Sequence, residues 1–339
     1  MTHLLPGNER TLPTLDDVAR VAGVSRATVS RVVNGGRLVS ADTAEAVNRA
    51  IGELGYQPNR AARALVTRRA GAVAVVVPET DERVFSDPFF PQAYHGALTA
   101  FSGVDVQVLL AMAQPGESAA RMGRYLDSGH VDGAIVLSHH GPELAHELAK
   151  SAHPAVFIGD PQMPGLPYVE LDQVNAAITG TNHLIQRGAT RIATITGPMD
   201  MNAGMERLRG FESAMTAAGL VPVGVVEGDF TARGGELAAT RLLAEAPELD
   251  GLFVASDLMA FGAMRVLRRA GRRIPDEVRV VGFDNSTVAL QTSPQLTTMT
   301  NPASELARMA GEMLLGLLSG AALESPVILT SELIIRNSA

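Results

Sequence analysis

From residue 71 onward the chain alternates short apolar runs with longer amphipathic segments, a pattern that few folds satisfy. Runs such as AVAVVV at 72–77 have the length and composition of buried strands, whereas segments such as MERLRGFESAMTAAG at 205–219 have helical spacing. Because strands alternate with helices, we predict an α/β fold of parallel sheets, with too many strands for one small sheet. The candidate strands are residues 72–77, 106–112, 133–137, 155–160, 191–196, 224–229, 251–256 and 278–283.

The chain before residue 71 has a different pattern. Residues 14–35, TLDDVARVAGVSRATVSRVVNG, predict two short helices joined by a tight turn. Thr14 is a suitable cap for the first helix, Gly23 for its end, and Ser25 for the start of the second. The buried stripes are formed by Leu15, Val18, Ala19 and Ala22 in the first helix and by Val29, Val32 and Val33 in the second.

The outward face of the second helix consists of Arg26, Ala27, Ser30 and Arg31. An ordinary helical hairpin with a solvated basic face would show the same residues. The distribution of charge along the chain distinguishes that hairpin from a DNA-binding one. Residues 1–70 hold ten arginines and six acidic residues, whereas the rest of the chain holds eighteen basic and thirty acidic residues. A small basic head on an acidic body indicates that the head binds a polyanion. We therefore predict a helix-turn-helix that reads DNA.

These residues, with VS at 39–40 and ELGYQPNRAARAL at 53–65, resemble the amino-terminal signature of the LacI/GalR family of transcription regulators. The resemblance continues to the carboxyl end. It implies a head that binds operator DNA and a two-lobed body, built like a periplasmic sugar-binding protein, that binds a small molecule in a cleft. Within the family, VSRATVSRVVNG, PNRAARALVTRR and GPMDMNAGMERLRGF most resemble the cellobiose-responsive repressors of actinobacteria, which implies a cello-oligosaccharide or related glucoside as effector.

Arg26 and Arg31 are expected to supply the polar contacts to bases in the major groove, because Ala27 offers only a methyl group. The resemblance implies that Leu65 inserts into the minor groove from a hinge helix at 59–66. Since so short a helix is marginal in water, we expect it to form only on DNA. The predicted DNA-binding residues are Thr14, Ser25, Arg26, Ala27, Thr28, Ser30, Arg31, Asn34, Tyr56, Asn59, Arg60, Ala62, Arg63 and Leu65.

The predicted domains follow from these assignments. Residues 1–13 are expected to form a flexible arm, 14–57 the helix-turn-helix head, 58–70 the hinge helix and linker, and 71–339 the body. The body is predicted to comprise an N-lobe of 71–170 and 300–322 and a C-lobe of 171–298 and 323–339, so that the third crossing between lobes falls near 320–325.

Ligands in open α/β folds bind at the carboxyl ends of strands, and carboxylates, arginines and aromatic rings in such a place suit a polyhydroxylated ligand. The resemblance adds that Arg207 aligns with the arginine by which family members hold their effector. The usual Asp-Asn pair near the first crossing is Asp172-Gln173 here, which weakens the role of that segment. The predicted effector-binding residues are Glu79, Phe85, Asp87, Phe89, Asp160, Asp172, Arg207, Asp257, Phe283 and Asp284.

Several of these residues have an alternative interpretation. Asp257 could cap the helix that follows it, Asp284 could belong to a turn, and Phe89 and Phe90 could be core residues. The adjacent histidines His139 and His140 suggest a metal pair, but they would point apart and no third ligand follows at a suitable spacing, so no metal site is predicted.

Three classes of function remain open. The first is a repressor of carbohydrate-utilisation genes, released from a palindromic operator by a sugar; a variant of it responds to a non-sugar corepressor. The second is a sugar-binding transport receptor, which would need a signal peptide that residues 1–13 lack. The third is a carbohydrate enzyme, but nothing pairs two carboxylates as acid and nucleophile, and no catalytic residue is assigned.

We favour the repressor. Its expected partners are operator DNA with an inverted repeat, a sugar effector and a second copy of the chain, because the chain ends at ELIIRNSA without the leucine-heptad tail that builds family tetramers. No cofactor and no membrane are expected, and the expected location is the bacterial cytoplasm, on the nucleoid when operator is bound. The absence of cysteine leaves neither disulfides nor thiolate metal sites.

Overall fold

The computed structural model describes residues 13–33, 39–57, 69–112, 119–322 and 325–339. The chain divides into two compact units, residues 1–70 and 71–339, here called the head and the body. In the described residues the head consists of α1 (Leu15–Ala22), α2 (Arg26–Val33) and α3 (Ala41–Leu54).

The head forms for the local reasons that its sequence predicts. Thr14 and Asp17 form a reciprocal capping box at the start of α1, and Gly23 ends the helix with a left-handed φ of 67°. The side chain of Ser25 accepts the Thr28 N–H at 3.1 Å where α2 begins. Apolar side chains on the inner faces of the three helices pack into a small core of their own. The helix-turn-helix prediction is confirmed.

The body is built from short strands and the helices that connect them. Its strands are β1 (Ala72–Val77), β2 (Gln107–Met112), β3 (Gly133–Val136), β4 (Ala155–Ile158), β5 (Tyr168–Leu171), β6 (Ile192–Thr196), β7 (Gly224–Glu227), β8 (Gly251–Val254), β9 (Arg279–Asp284), β10 (Thr297–Thr300), β11 (Val327–Leu329) and β12 (Leu333–Ile334). Its helices are α4 (Asp81–Ser86), α5 (Phe89–Ala100), α6 (Ala119–Tyr125), α7 (Glu143–Leu148), α8 (Gln173–Gln186), α9 (Asn202–Ala217), α10 (Ala232–Glu245), α11 (Asp257–Arg269), α12 (Thr287–Gln291) and α13 (Ala303–Leu318).

These strands form two six-stranded sheets, ordered β11-β5-β4-β3-β1-β2 and β12-β10-β9-β8-β6-β7. We call the lobe around the first sheet the N-lobe and the lobe around the second the C-lobe. Pairing is parallel except between β10 and β12. Every residue of β1 is buried, as expected for a strand of a sheet that helices cover on both faces. The prediction of parallel α/β sheets is confirmed.

The chain passes between the lobes three times. It leaves the N-lobe after β5, because α8 packs against the C-lobe strands β8 and β9, and it returns after β10 with α13, which packs on α5. The third crossing lies between β11 and β12, because β11 pairs with β5 and completes the edge of the N-lobe sheet. The predicted crossing near 320–325 is therefore wrong, and residues 327–329 belong to the N-lobe rather than the C-lobe.

The strands that the sequence pattern missed are β5, β10, β11 and β12, which have two to four residues each. TTMT at 297–300 has one apolar side chain, and YVEL at 168–171 is only four residues long and interrupted by a glutamate, so neither is recognised as a buried run. Their burial comes from helices and strands that are distant in sequence.

Glycines let helices of the body approach closely. Helix α11 packs against α10, and a Cβ placed on Gly262 would lie 1.9 Å from the carbonyl oxygen of Ala232. No side chain can occupy that space unless the two helices move apart.

Gly262→Ala should therefore destabilise the body by about 1–3 kcal/mol through overpacking, although alanine is the better helix former. The measurement is the free energy of unfolding from urea denaturation followed by circular dichroism. Arg268→Ala, on the exposed face of the same helix, is the control and should change that energy by less than about 0.5 kcal/mol. Equal stability of Gly262→Ala and wild type would contradict the packing described here.

Candidate functional site

A cleft lies between the lobes where the strand order reverses, after β1 and β3 in the N-lobe and after β6 and β8 in the C-lobe. Connections leave in opposite directions at such a point, so the carboxyl ends of the strands enclose a crevice. The space between the walls is about 740 Å³, part of it open to solvent. Its lining residues are Arg83, Asp87, Phe89, Ser138, His139, Ile158, Gly159, Glu170, Leu171, Gln173, Met201, Asn202, Ala203, Arg207, Phe230, Ser256, Asp284, Asn301 and Leu306.

Arg207 forms the C-lobe wall. It lies in the second turn of α9, and its side chain is 5% exposed. Its Nε donates to Gln173 Oε1 at 2.8 Å, its Nη1 donates to the carbonyl oxygen of Ala255, and Asp284 Oδ1 lies 3.8 Å away. The guanidinium carbon lies 3.6 Å from the centroid of the Phe283 ring. The cation is therefore fixed before any ligand arrives.

Carboxylates surround this arginine. Burial raises the pKa of Asp284, and Asp87 raises it further, whereas Arg207 lowers it. Burial and the charge of Asp284 also raise the pKa of Asp257. Asp284 lines the cleft with a positive φ of 111°, and its carboxylate accepts from Asn301 Nδ2 at 3.1 Å. Asp284 is thus a cleft residue held by strained backbone, as at many binding sites.

The N-lobe wall comes from the segment after β1. Asp87 accepts the Phe89 N–H at 2.9 Å, and burial raises the pKa of the Asp87 carboxyl, opposed by Arg83 and Arg207. Phe89 lines the cleft and meets Phe90 edge to face at 5.4 Å, whereas Phe90 is 3% exposed and belongs to the core. The alternative of a core position is therefore correct for Phe90.

Phe230 completes the aromatic surface of the cleft, although it is not among the residues predicted from the sequence. The guanidinium carbons of Arg83 and Arg207 lie 5.1 and 5.7 Å from its ring centroid. Its φ of 61° is unusual for a bulky residue, so the surrounding packing must hold it there. Phe230 directly follows the run GVVEGD at 224–229. The rule that ligands meet the carboxyl ends of strands could have found it.

Residues 200–202, at the start of α9, connect the C-lobe to the N-lobe. Asp200 accepts from His140 Nδ1 at 2.9 Å through its side chain and from the Gly141 N–H at 2.8 Å through its carbonyl. Asn202 accepts from Gln162 at 3.1 Å and donates to Glu170 at 2.9 Å. The cleft is therefore closed on this side by hydrogen bonds between the lobes.

His140 bridges two carboxylates, one from each lobe. Its Nε2 lies 3.0 Å from Glu79 Oε1, and its Nδ1 lies 2.9 Å from Asp200 Oδ2. The bond to Glu79 raises the pKa of His140, burial lowers it, and Asp200 raises it further. A neutral imidazole has one N–H and can donate to only one of these partners, so the bridge requires the imidazolium.

Glu170 lies opposite Asn202 on the N-lobe side. Burial and the neighbouring Glu206 raise the pKa of Glu170 to about 7. A carboxyl that is partly protonated near neutral pH can donate as well as accept a hydrogen bond, which suits a ligand hydroxyl. Glu170 lies within β5, a strand that the sequence pattern missed.

Of the predicted effector residues, Asp87, Phe89, Arg207 and Asp284 line the cleft. Phe283 is fully buried, and its ring packs against the Arg207 guanidinium. Asp257 is also fully buried; it accepts from Ser286 N–H at 2.7 Å and Thr298 Oγ1 at 2.6 Å. The cap of α11 is Ser256, not Asp257. Asp257 and Phe283 thus support the cleft rather than line it.

The other predicted effector residues also lie outside the cleft wall. Glu79 lies behind the wall, bound to Arg83, Ser138 and His140. The Phe85 side chain is 77% exposed, because α4 turns it to solvent.

Asp160 and Asp172 have local roles instead. Asp160 accepts the Gln162 N–H at 2.7 Å in a turn. Asp172 caps α8 through the Asn175 N–H at 3.0 Å, and it is the neighbouring Gln173 that reaches the cleft. The substituted pair Asp172-Gln173 therefore does contribute to the site.

On the head, α2 presents the predicted DNA-reading face. Arg26, Ala27 and Arg31 are exposed, and Arg26 lies 3.6 Å from Asp16 in a surface ion pair, which is weak. Ser25 and Thr28 share a hydrogen bond of 2.9 Å at the start of the helix. Tyr56 is 7% exposed and packs in the head core, so its ring has a structural role. The predicted contacts of Asn34, Asn59, Arg60, Ala62, Arg63 and Leu65 lie outside the described residues.

The part of the chain that the structure describes offers neither a metal site nor a membrane span. No group of three or more histidine, cysteine, aspartate or glutamate residues there could hold a metal ion. No described helix is long and apolar enough to cross a membrane. His139 packs its ring edge to face against Phe157 at 5.4 Å, while His140 forms the bridge described above.

Comparisons with known proteins place this arrangement in a family. Residues 14–59 match the family model of bacterial regulatory proteins of the lacI family, and residues 181–339 match the periplasmic binding protein-like domain. The HTH-type transcriptional regulator CelR of Thermobifida fusca is 44% identical over 339 residues, which covers 97% of this chain and 99% of that protein. The chain belongs to the LacI family of bacterial regulatory proteins. The ribose operon repressor of Halalkalibacterium halodurans is 32% identical over 90% of both chains.

Solved structures agree with this LacI-family membership. A transcriptional regulator CelR–cellobiose complex is 42% identical and has a TM-score of 0.76, covering 96% of this chain and all of that one. The lac repressor dimer bound to operator and the anti-inducer ONPF is 28% identical with a TM-score of 0.86, covering 96% and 98% of the two chains. These LacI-family relatives are transcription regulators, not enzymes.

The bridge through His140 predicts a pH dependence of stability. The pKa of His140 in the folded protein is raised above the ordinary 6.5. The stabilisation is therefore complete below the ordinary value and is lost as the pH rises through the raised one. We expect wild type to unfold at a higher temperature than His140→Gln at about pH 6, and the difference to shrink toward about pH 9. Calorimetry across this range measures it, and a difference that is independent of pH would contradict the bridge.

Proposed function

We propose that this LacI-family protein represses carbohydrate-utilisation genes by binding a palindromic operator, and that a cello-oligosaccharide or related glucoside in the cleft releases it. The observation that carries the proposal is a cleft lined by arginines, carboxyl groups and side-chain amides, with one phenylalanine ring from each lobe. Such a set offers donors and acceptors to hydroxyl groups and an apolar face to a pyranose ring.

The charge balance of the cleft supports a neutral ligand. Arg207 lies near Asp284, and Arg83 is paired with Glu79, while Asp87 and Glu170 add further carboxyl groups to the walls. No cation among these described residues is left without a carboxylate nearby. A phosphorylated sugar would therefore bring excess negative charge to the site, whereas an unphosphorylated sugar would not.

The relatives support the choice of sugar. The regulator CelR of Thermobifida fusca shares 44% of its residues with this chain, and a solved CelR complex contains cellobiose. A regulator that answers to a non-sugar corepressor is the alternative, and neither the cleft chemistry nor these similarities favour it. We infer the same class of effector, a β-linked glucose disaccharide or its longer homologues.

The proposed working form is a homodimer in the bacterial cytoplasm, on the nucleoid when operator is bound. The lac repressor, to which the chain is similar, binds its operator as a dimer. A two-fold symmetric protein reads an inverted repeat, with one α2 in each half-site. Arg26 and Arg31 supply the base contacts, and a hinge segment that includes Leu65 inserts into the minor groove.

Release follows from differential binding. A sugar that contacts Arg207 in the C-lobe and Asp87 in the N-lobe favours one angle between the lobes over others. It changes operator affinity only by its difference in affinity for the two angles, commonly about 1–3 kcal/mol, or about 5- to 150-fold. This range is sufficient for induction.

Arg31→Ala should weaken binding to the operator by about 1–3 kcal/mol and relax the preference for one base pair, because the bidentate contact to a base edge is lost. Fluorescence anisotropy with the operator and with every single-base variant of the contacted position measures both effects. Arg49→Ala, an exposed arginine on α3, serves as the comparison within the head. Equal weakening by Arg31→Ala on operator and random DNA would make Arg31 a phosphate contact instead.

Arg207→Ala should bind operator as wild type does yet stay bound when cellobiose is added, because the donors fixed by Gln173 and Ala255 are lost. Anisotropy of labelled operator during titration with cellobiose, maltose and glucose measures release. Arg241→Ala, which removes an exposed arginine on α10, should respond like wild type. Tighter operator binding by wild type with sugar would show corepression, and no response to any sugar would refute the effector assignment.

A further inference from the structure

Two consecutive residues at the end of β9 have a backbone in the left-handed region. Asp284, which lines the cleft, has a φ of 111°, and Asn285 has a φ of 49°. Residues other than glycine adopt such conformations at a cost, so the surrounding structure has to hold them. The place of the Asp284 carboxylate in the cleft wall therefore depends on the contacts that hold this pair.

Backbone hydrogen bonds hold the pair in part. The Asp284 carbonyl oxygen accepts from the Asn301 N–H at 3.2 Å, and the Asn285 N–H donates to Thr298 Oγ1 at 3.3 Å. Both bonds are long for N–H···O or N–H donors to a hydroxyl, so they restrain the pair only weakly by themselves. The Asn285 side chain makes a shorter contact.

Arg336 supplies that contact. Its Nη2 donates to Asn285 Oδ1 at 2.6 Å, while its Nη1 donates to the carbonyl oxygen of Leu296 at 2.8 Å. The backbone of Arg336 is anchored as well, because its N–H donates to Thr297 Oγ1 at 2.9 Å. The side chain is half-buried and lies outside the described lining of the cleft. A planar guanidinium that bonds two acceptors at once holds both in a fixed relation.

We propose that Arg336 is a positioning residue for the effector: it holds the Asn285 side chain, keeps the backbone of residues 284 and 285 left-handed, and so keeps the Asp284 carboxylate at the cleft wall. The inference rests on the proposed function, because it takes the cleft to be the sugar site. Arg336 acts on affinity through Asp284, whose carboxylate can accept a hydrogen bond from a sugar hydroxyl.

A role in stability alone is the competing explanation, since Arg336 also joins the segment after β12 to the connection before β10. The two roles differ in what the Asn285 side chain contributes. If Arg336 only stabilises the C-lobe, its removal lowers the free energy of unfolding and leaves the affinity for sugar unchanged. If it positions Asp284, its removal weakens sugar binding, and it does so only while the Asn285 side chain is present to be held.

The test is calorimetric titration of the full chain with cellobiose. Arg336→Met, which keeps an apolar stem and loses both donated bonds, should bind cellobiose about 5- to 50-fold more weakly than wild type. Arg272→Met is the matched control, because Arg272 is also half-buried in the C-lobe and donates to two carbonyl oxygens, those of Pro247 and Leu249, outside the described cleft lining. It should unfold at a lower temperature and bind cellobiose like wild type.

A double-mutant cycle with Asn285→Gly separates the two roles. Glycine adopts a φ of 49° without cost but offers Arg336 no acceptor. Asn285→Gly should therefore bind cellobiose within about tenfold of wild type. Adding Arg336→Met to it should weaken binding no further, because the acceptor through which Arg336 acts is already absent.

Unchanged affinity in Arg336→Met, an equal loss in Arg272→Met, or losses that add in the double variant would overturn the inference while the proposed function stands. Complete loss of binding in Asn285→Gly would assign the role to Asn285 itself and would overturn it too. Absence of cellobiose binding by wild type would refute the proposed function and this inference with it. Thermal unfolding without sugar shows whether each variant is folded. Arg336→Lys, with a smaller loss expected in the same direction, replaces Arg336→Met if the latter does not fold.

Discussion

The buried guanidinium of Arg207 sets the requirements that the rest of the cleft satisfies. Arginine keeps its proton in proteins, so burying it obliges the chain to provide acceptors and negative charge at fixed places. Here the acceptors come from Gln173 on α8 and from the carbonyl of Ala255 after β8, and the charge comes from Asp284 at the end of β9. Three parts of the chain, at the start of α8, after β8 and at the end of β9, are thereby held by one group, which gives this wall of the cleft a defined shape.

The order of the strands explains why these groups meet. The two sheets share one strand order, in which the first strand of each lobe lies between the second and third strands of that lobe. The direction of the connections therefore reverses beside the first strand of each lobe, and the two reversal points face the same cleft. The three crossings keep the lobes adjacent without fusing them. Direct bonds such as that between His140 and Asp200 then decide how far they close. A ligand that spans the walls competes with or adds to those bonds, and this is the physical basis for a response of the whole chain to a small molecule.

The carboxyl groups of the cleft do not behave alike, because burial and neighbours differ among them. Glu79 has three donors and a lowered pKa, whereas Glu170, beside Glu206, has a pKa raised to about 7. The first therefore acts as a fixed anion that orients Arg83 and His140. The second can change its proton content near neutral pH and so adapt to a ligand hydroxyl that donates or accepts. Two glutamates, one behind the cleft wall and one in it, thus differ in protonation because their surroundings differ.

The helices of the head and the parallel sheets of the body could be predicted from the sequence alone. Caps such as Thr14 and Gly23 act on neighbouring residues, and buried runs such as 72–77 carry their own signal, so local pattern was sufficient. Which side chains face the cleft depends on contacts between segments that are distant in sequence. Phe85 and Phe89 are four residues apart in the segment after β1, yet Phe85 on α4 is exposed, whereas Phe89 at the start of α5 lines the cleft. Glu170, Phe230 and the third crossing depend on pairing between distant segments, which no local pattern contains, because burial and hydrogen bonding there are set by strands far apart in sequence.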